Sequence, residues 1–497
     1  MESRRLLAFA PIGGPLIAQN NGVTSVESLA MNALGKQVVA WVSAGDVYVR
    51  SYGPNGNAIT PAIQVTTDNA SRQADVAIDS TGAFVVVWQS GPVGTTKVFV
   101  QRFDNVGAAA SAVTQVNTSA VGAAITPRVA MASDRTFVVV WQSDSSGGDR
   151  IYMQNFAADV TPVGTETLAS DDNTARFPDV QMNGSGSYVV AWNSTTSTLA
   201  QRYSGPGDVQ GGLITVSAEP ASQPAVGVAG DGSFVIAYSV DEPIVVGLRD
   251  IEARRYNSGG TALGAAFVAS SDSAGNEQLP QIAISDDGKF AIGWVEASIT
   301  PGGFDQIGVR PYLADGQPFS TDTTIANVGF DADPRFGIAW PDELNLRVAY
   351  EGGNDTRIQE FEAQLTLVLD DTAHTVNLFG TPTNVRVTDN GVTQNYPTNT
   401  FASISVTGGL EADFIRAKGV LTNITIIGGG GNDTLIGSNG DDSIDGGLGN
   451  DAINGGAGND YAHGGDDTDS MYGGAGDDTL TGGPGRNLIY GEDGNDL

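Results

Sequence analysis

The 497-residue chain contains no cysteine and two histidines, His374 and His463. Without thiols it has neither disulfide staples nor thiolate metal sites. With two histidines far apart in the chain, the paired-imidazole zinc site of an HExxH helix is excluded. No apolar run reaches the roughly 18 residues of a transmembrane helix. The opening MESRRLLAFAPIGG is basic and then apolar, but Pro11 and the following glycines break it before it attains the length of a secretory signal. There is no GxSxG nucleophile elbow, and no histidine precedes position 374 to serve as a base. Basic residues are scarce as well: 24 Lys and Arg against 57 Asp and Glu leave a net charge of −33, which argues against nucleic acid and anionic membrane surfaces as partners.

What is present suits a large folded protein. Apolar residues make up 40% of the chain and charged ones 16%, ordinary values for a chain that buries a core, and the length accommodates two to four domains. The acidity is uneven: residues 428–497 carry thirteen aspartates and Glu492 against Arg486 alone. A segment of that charge attracts cations.

The chain repeats as far as position 360. An apolar run ending near Trp or Tyr recurs as QVVAWV (37–42), FVVVWQS (84–90 and again 137–143), YVVAWNS (188–194), FVIAYS (234–239), FAIGWVE (290–296) and LRVAYEG (346–352). Each copy has a first strand, a Gly/Asp/Asn turn, the Trp strand, a third strand ending in an aromatic, and a β-branched fourth strand. Four short strands at this interval predict a propeller blade, and seven copies predict a seven-bladed ring. The seventh copy changes character after Phe361, whereas residues 8–20 look like a fourth strand with no blade before it. The N-terminal segment is therefore expected to close the ring. The recurrent Trp41, Trp88, Trp141, Trp192, Tyr238, Trp294 and Tyr350, and the third-strand set Tyr52, Phe103, Phe156, Tyr203, Tyr256, Tyr312 and Phe361, read as packing between blades rather than a sugar-stacking surface.

Catalysis by a propeller glycosidase or lyase needs carboxylates gathered at the axis. The first strands offer only scattered acids such as Asp75 and Asp179, so the expectation is a protein that is not an enzyme. The longer loops 143–150 and 240–255 read either as ordinary loop variation, the favoured reading, or as places for a glycan or surface-protein ligand.

Residues 362–427 lack the blade pattern and alternate in short β-like runs, either a small β module or early turns of the region after them. From Gly428 a nine-residue register is strict: GGGGNDTLI, GSNGDDSID, GGLGNDAIN, GGAGNDYAH, GGDDTDSMY, GGAGDDTLT, GGPGRNLIY and then GEDGNDL. The sixth place holds Asp433, Asp442, Asp451, Asp460, Asp469, Asp478, Asn487 and Asp496. The eighth holds Leu435, Ile444, Ile453, Ala462, Met471, Leu480 and Ile489. Glycines permit tight turns that offer carbonyls inward, and the eighth residue of a short strand supplies a thin apolar core. Carboxylate and carbonyl oxygens, with no nitrogen or sulfur, suit Ca²⁺. Segment 428–497 contains twenty-two glycines, so ordering it costs more entropy than one small side chain per rung returns. Metal binding is expected to supply the difference.

The nonads resemble the GGxGxDxUx repeats of the RTX, or haemolysin-type, calcium-binding family. The resemblance implies a parallel β-roll with two nonads per turn and Ca²⁺ held between repeats n and n+2. It would pair Asp433 with Asp451, Asp442 with Asp460, Asp451 with Asp469, Asp460 with Asp478, and Asp478 with Asp496. The pair Asp469 with Asn487 lacks a charge and is expected to be weak. The resemblance also implies secretion into millimolar calcium and an export signal beyond the repeats, hence a longer parent chain. ESRRLL at the start is similar to the LE-x-R-x-LL segment that opens many large bacterial surface proteins.

The expectation is thus an all-β, extracellular calcium-binding protein: a seven-bladed β-propeller (1–361), a β-rich bridge (362–427) and a parallel β-roll (428–497). The alternatives are a calcium-dependent adhesin or carbohydrate-binding surface protein and, further off, a propeller hydrolase or lyase.

Overall fold

The computed structural model describes residues 4–497 except 12–15, 21–23, 33, 54–56, 119–121, 145–146, 171, 220, 242–248, 271–275, 298–304, 319–322, 329–335, 340–344, 353–354, 370–371, 381–383, 398–402 and 420–422. The central parts of both longer loops, 143–150 and 240–255, lie outside the described residues. Every regular element described is a β-strand. Two compact units emerge, Pro11–Glu360 on the one hand and Met1–Ala10 with Phe361–Leu497 on the other.

In the first unit, six separate four-stranded antiparallel sheets follow one another. The third is typical: Ala123–Met131, Phe137–Asp144, Arg150–Phe156 and Pro162–Leu168, paired in chain order. The second strand of each blade is buried along nearly its whole length, as in Phe84–Ser90 and Tyr188–Asn193, which explains the unbroken FVVVW and YVVAW runs: both faces meet a neighbouring sheet. The expected count of seven such sheets is corrected to six among the described residues. The physical reason is that the seventh copy lacks a fourth strand of its own. It contributes Phe336–Ala339, Asn345–Gly352 and Asp355–Val368, and antiparallel to the last of these, at Asp355–Ile358, lies Leu16–Asn20 from the start of the chain. Phe336–Ala339 sits beside both Glu277–Ile284 of the sixth blade and Thr24–Met31 of the first.

The repeated aromatics are buried. Trp41, Trp88, Trp141, Trp192, Tyr238 and Trp294 are at most 2% exposed, and Tyr52, Phe103, Phe156, Tyr203, Tyr256 and Tyr312 at most 3%; the side chains of Tyr350 and Phe361 lie outside the described residues. Phe137 stacks on Phe156 with ring centroids 4.9 Å apart, and the same pairing recurs in Tyr188 with Tyr203 and Phe234 with Tyr256. Trp141 and Phe156 of the third blade pack with Val85, Val87, Val98 and Val100 of the second. The glutamine of WQS links blades through the backbone: buried Gln89 and Gln142 accept the N–H of Thr126 (3.0 Å) and Phe177 (3.2 Å) from the next blade.

The second unit is a parallel solenoid with two ladders. In the nonads each turn takes two repeats, as in Leu435 beside Ile453 and Ile453 beside Met471 on one ladder, and Ile426, Ile444 and Ala462 on the other. The ladders begin well before Gly428. Ile404 pairs with Ile424 and Ile415 with Leu435, a turn slightly longer than two nonads. Val376 pairs with Ile415 across a much longer turn, which holds the antiparallel strands Asn384–Asp389 and Val392–Pro397. Within 362–427 the strands Thr375–Gly380, Ser403–Thr407, Phe414–Lys418 and Ile424–Gly430 are therefore rungs of the same two ladders. Leu435, Ile444, Ile453, Ala462 and Met471 are at most 1% exposed, so the core of the roll takes one side chain per nonad, contributed alternately by the two ladders.

Candidate metal centre

Each nonad makes a turn and then a short strand. In the turn 446–451, Gly447 and Gly449 have φ of 99° and 118°, conformations that L side chains rarely adopt. Gly446, the first of its nonad, is required for a different reason, close approach. A Cβ there would lie 2.3 Å from the Gly464 carbonyl oxygen and 2.4 Å from Asp451 Oδ2. The same pair of oxygens, one carbonyl and one sixth-place carboxylate, converges on Gly428, Gly455, Gly464 and Gly473.

The sixth-place aspartates are stacked by backbone hydrogen bonds. Asp433 N–H donates to Asp451 Oδ1 (2.8 Å), Asp442 to Asp460 (2.8 Å), Asp451 to Asp469 (2.9 Å), Asp460 to Asp478 (2.8 Å) and Asp478 to Asp496 (3.0 Å). These are the partners two nonads apart. Asp433, Asp442, Asp451, Asp460, Asp469 and Asp478 are at most 3% exposed, while Asp496 is half-buried. One oxygen of each stacked carboxylate is thus occupied. The other, Oδ2, is buried without a hydrogen-bond partner in Asp433, Asp451, Asp460, Asp469 and Asp478.

Three sixth-place residues differ, each for a local reason. Asp442 follows Ser438, which stands where the other complete nonads have a second glycine. Ser438 N–H donates to Asp442 Oδ2, and Ser438 Oγ donates to Oδ1 at 3.0 Å, so this carboxylate is satisfied within the protein. At Asn487 the Oδ1 accepts Asp469 N–H (2.9 Å), but the second atom is an NH₂ that donates to the Gly483 carbonyl (3.1 Å). Asp413 precedes the strict nonads. It accepts His374 N–H (2.8 Å) and Gly409 N–H (3.1 Å), and its own N–H donates to Asp433 Oδ1 (2.7 Å). GGLEADFIR (408–416) carries the signal for it, with glycines first and second, aspartate sixth and isoleucine eighth, but out of phase with the later nonads.

The fifth place also builds a ladder that reading the sequence overlooked. Asn450 N–H donates to Asn432 Oδ1 (2.9 Å) and Thr468 N–H to Asn450 Oδ1 (3.1 Å). On the opposite edge Asn459 donates to Asp441, Asp477 to Asn459 and Asn495 to Asp477, at 2.7–2.9 Å. Here the later residue donates to the earlier side chain, the reverse of the sixth-place ladder, so the two-nonad register is pinned in both directions.

An unpartnered ionised oxygen in a dry interior is costly. Burial, with neighbouring carboxylates adding to it, pushes Asp433, Asp451 and Asp460 up to about 6, and Asp442, Asp469 and Asp413 also upward from the ordinary carboxylate range. A divalent cation removes that penalty, and the donor set is purely oxygen, as Ca²⁺ prefers. Among the described residues no group of three or more carboxylate or imidazole side chains converges, so backbone carbonyls such as those of Gly446 and Gly464 must complete any coordination shell. The residues fit the ion.

A family model described as the RTX calcium-binding nonapeptide repeat matches residues 427–462 and 463–497. Residues 427–497 are RTX calcium-binding repeats. A search of curated proteins finds no match. Among solved structures, the chain is similar to a hydrazine synthase from Kuenenia stuttgartiensis at 12% identity (TM-score 0.45, 67% of this chain and 95% of that one). It is also similar to a protein of unknown function from Dyadobacter fermentans at 11% (0.44, 59% and 95%) and to the polysaccharide lyase Uly1 at 10% (0.43, 71% and 91%).

Within the RTX roll, first-place glycines are more sensitive than their φ alone suggests. Gly446→Ala drives a methyl group into the Gly464 carbonyl oxygen and Asp451 Oδ2 and is expected to raise the calcium concentration at half-folding about tenfold or more, equivalent to ~1.4 kcal/mol. Hydrogen exchange of residues 428–497 across a calcium titration reads the shift.

Proposed function

We propose that this is an extracellular, non-enzymatic calcium-binding protein. Its RTX roll folds on Ca²⁺, and its propeller is a rigid platform for a ligand. The observation that carries the calcium reading is the row of five buried, unpartnered Oδ2 atoms, each beside a glycine carbonyl. Asp433, Asp451, Asp460, Asp469 and Asp478 supply those atoms and are the ligands that hold the ions, five per chain. Asp442 and Asp496 take part through the carboxylate ladder. Calcium supplies the charge compensation that lets these carboxylates remain ionised in the interior.

The non-enzymatic reading is supported at the propeller axis, where the two acids picked out in the sequence tie adjacent blades together. Asp75 accepts Val129 N–H (2.8 Å) and Ser28 Oγ–H (2.6 Å), and Asp179 accepts Val226 N–H (2.7 Å) with Arg128 Nε 3.9 Å away. In this reading the seventh repeat, completed by Leu16–Asn20, closes the ring. Extracellular placement rests on the RTX repeats, whose calcium demand suits millimolar surroundings; no helix among the described residues is long and apolar enough to cross a membrane.

Native mass spectrometry of the full chain tests the ligand assignment. Five bound ions are expected for the parent, four for Asp460→Asn and five for Asp442→Asn. Equal losses in the two variants would overturn it.

A further inference from the structure

In five blades the innermost strand breaks register against its neighbour at one equivalent place: between Arg72 and Asp75, Ile125 and Arg128, Arg176 and Asp179, Ser222 and Ala225, and Gln278 and Gln281. At each break a residue other than glycine takes a left-handed conformation: Gln73 (φ 49°), Thr126 (49°), Phe177 (53°), Gln223 (45°) and Leu279 (55°). Such backbone is strained, for β-branched Thr126 above all, and persists only where the surroundings enforce it. β-Bulges of this kind re-aim side chains and concentrate beside functional sites.

The hydrogen bonds from Thr126 and Phe177 N–H to Gln89 and Gln142 do not account for the pattern. The positions equivalent to those glutamines in the blades before Gln73, Gln223 and Leu279 hold Val42, Asn193 and Ser239, yet the strain is the same. What the five strained residues share is a cavity: all of them line one space of ≈ 190 Å³ at the propeller axis, together with Glu27, Arg128 and Asp179.

The geometry points to a binding site there for one neutral, hydroxyl-rich ring, a terminal monosaccharide unit of a glycan. The volume is below that of sites for drug-sized ligands and suits a single ring. Gln73 and Gln223 bring amides that both donate and accept, the match for sugar hydroxyls, while Phe177, 38% exposed, and Leu279 offer an apolar surface to a ring face. Gln73 Oε1 accepts Thr126 N–H at 3.1 Å, which fixes that side chain in place. Two carboxylates against one guanidinium line the cavity, so it disfavours uronates, sialylated ends and phosphates. This deepens the ligand-binding part of the function proposed above and is independent of the calcium roll.

The test uses the full chain in calcium and ligand-observed NMR with the methyl glycosides of glucose, galactose, mannose and fucose, and galacturonate as the anionic probe. One or more neutral glycosides are expected to bind with a Kd on the order of 1 mM. Binding is expected to weaken tenfold or more in Phe177→Ala, which removes an exposed ring, and in Leu279→Trp, which fills the cavity; Gln223→Ala, the mildest change, is the variant to use if either melts early. The proposal is overturned if none of the four glycosides binds, if galacturonate binds better than all of them, or if the folded variants bind as the parent does. Hydrogen exchange of residues 428–497 with calcium, read on the same samples, reports the roll separately, so loss of sugar binding leaves the calcium reading intact.

Discussion

Removing calcium from the full chain at neutral pH is expected to abolish amide protection throughout residues 428–497 while the buried propeller strands at 84–90 and 137–143 keep theirs. The roll has a core one side chain thick, running from Leu435 to Met471, and 22 glycines to order. Its five unpartnered Oδ2 atoms are an electrostatic burden when ionised without a counter-charge. Calcium at one hundred times its dissociation constant contributes about 2.7 kcal/mol per site, so five sites give roughly 13 kcal/mol, the scale of a whole domain's stability. The propeller is expected to show no such dependence, because the six four-stranded sheets among its described residues are held by stacked aromatics and buried valines. Hydrogen exchange with mass spectrometry, with and without chelator, resolves the two regions in one sample. Unchanged protection of residues 428–497 after chelation would sink the calcium-folding reading.

The second large effect concerns pH. In the calcium-free roll Asp433, Asp451 and Asp460 are pushed up to about 6, first by burial. A carboxyl group raised on folding favours the folded state while it is protonated. Its contribution is fully present below the unfolded value of about 3.9 and is lost as pH rises through about 6. At pH 7.5 each such group, held ionised, costs on the order of 3 kcal/mol. The calcium-free chain is therefore expected to gain β-structure between pH 7 and pH 5, whereas in calcium, where protons compete with the ion, acidification weakens binding. Circular dichroism of calcium-stripped and calcium-saturated samples should show the two pH responses with opposite sign. A calcium-free roll that loses structure on acidification from pH 7 to pH 5 would refute the assignment of buried, unpartnered oxygens.

These two effects rest on features of different legibility. The nonad phase, the eighth-place core and the pairing two nonads apart are periodic and local, and the ladder register follows from them. The fate of each carboxylate oxygen does not. Asp442 and Asp451 occupy the same place in the pattern, yet the N–H and hydroxyl of Ser438 satisfy the first and nothing satisfies Oδ2 of the second. Asp413 is hidden because its turn is longer than two nonads, so a strict count of nine passes over it. The fifth-place ladder is hidden because an asparagine beside an aspartate looks like ordinary turn chemistry until the neighbouring turn is stacked on it.

In the propeller the repeats, the strand order within each blade and the burial of the aromatics are written in the spacing of FVVVWQS and its relatives. The partner of Leu16–Asn20 was legible too, since residues 8–20 read as a fourth strand with no blade before it and the strand lies against Asp355–Ile358 of the seventh copy; that the described residues hold six separate four-stranded sheets was not, because sheet membership depends on pairings far apart in the chain. The strained residues are the clearest case. Thr126, Phe177, Gln223 and Leu279 each precede a proline, which restricts the backbone but favours extended rather than left-handed conformations, and Gln73 precedes Ala74, so neither the shared positive φ nor the shared cavity follows from one blade's sequence. By itself the sequence determined periodic, short-range matters: strand alternation, repeat length, glycine at turns, and an all-oxygen donor set. Only the tertiary structure decided which oxygens lack partners and which side chains meet at the axis, because hydrogen-bond satisfaction and convergence depend on neighbours far apart in the chain.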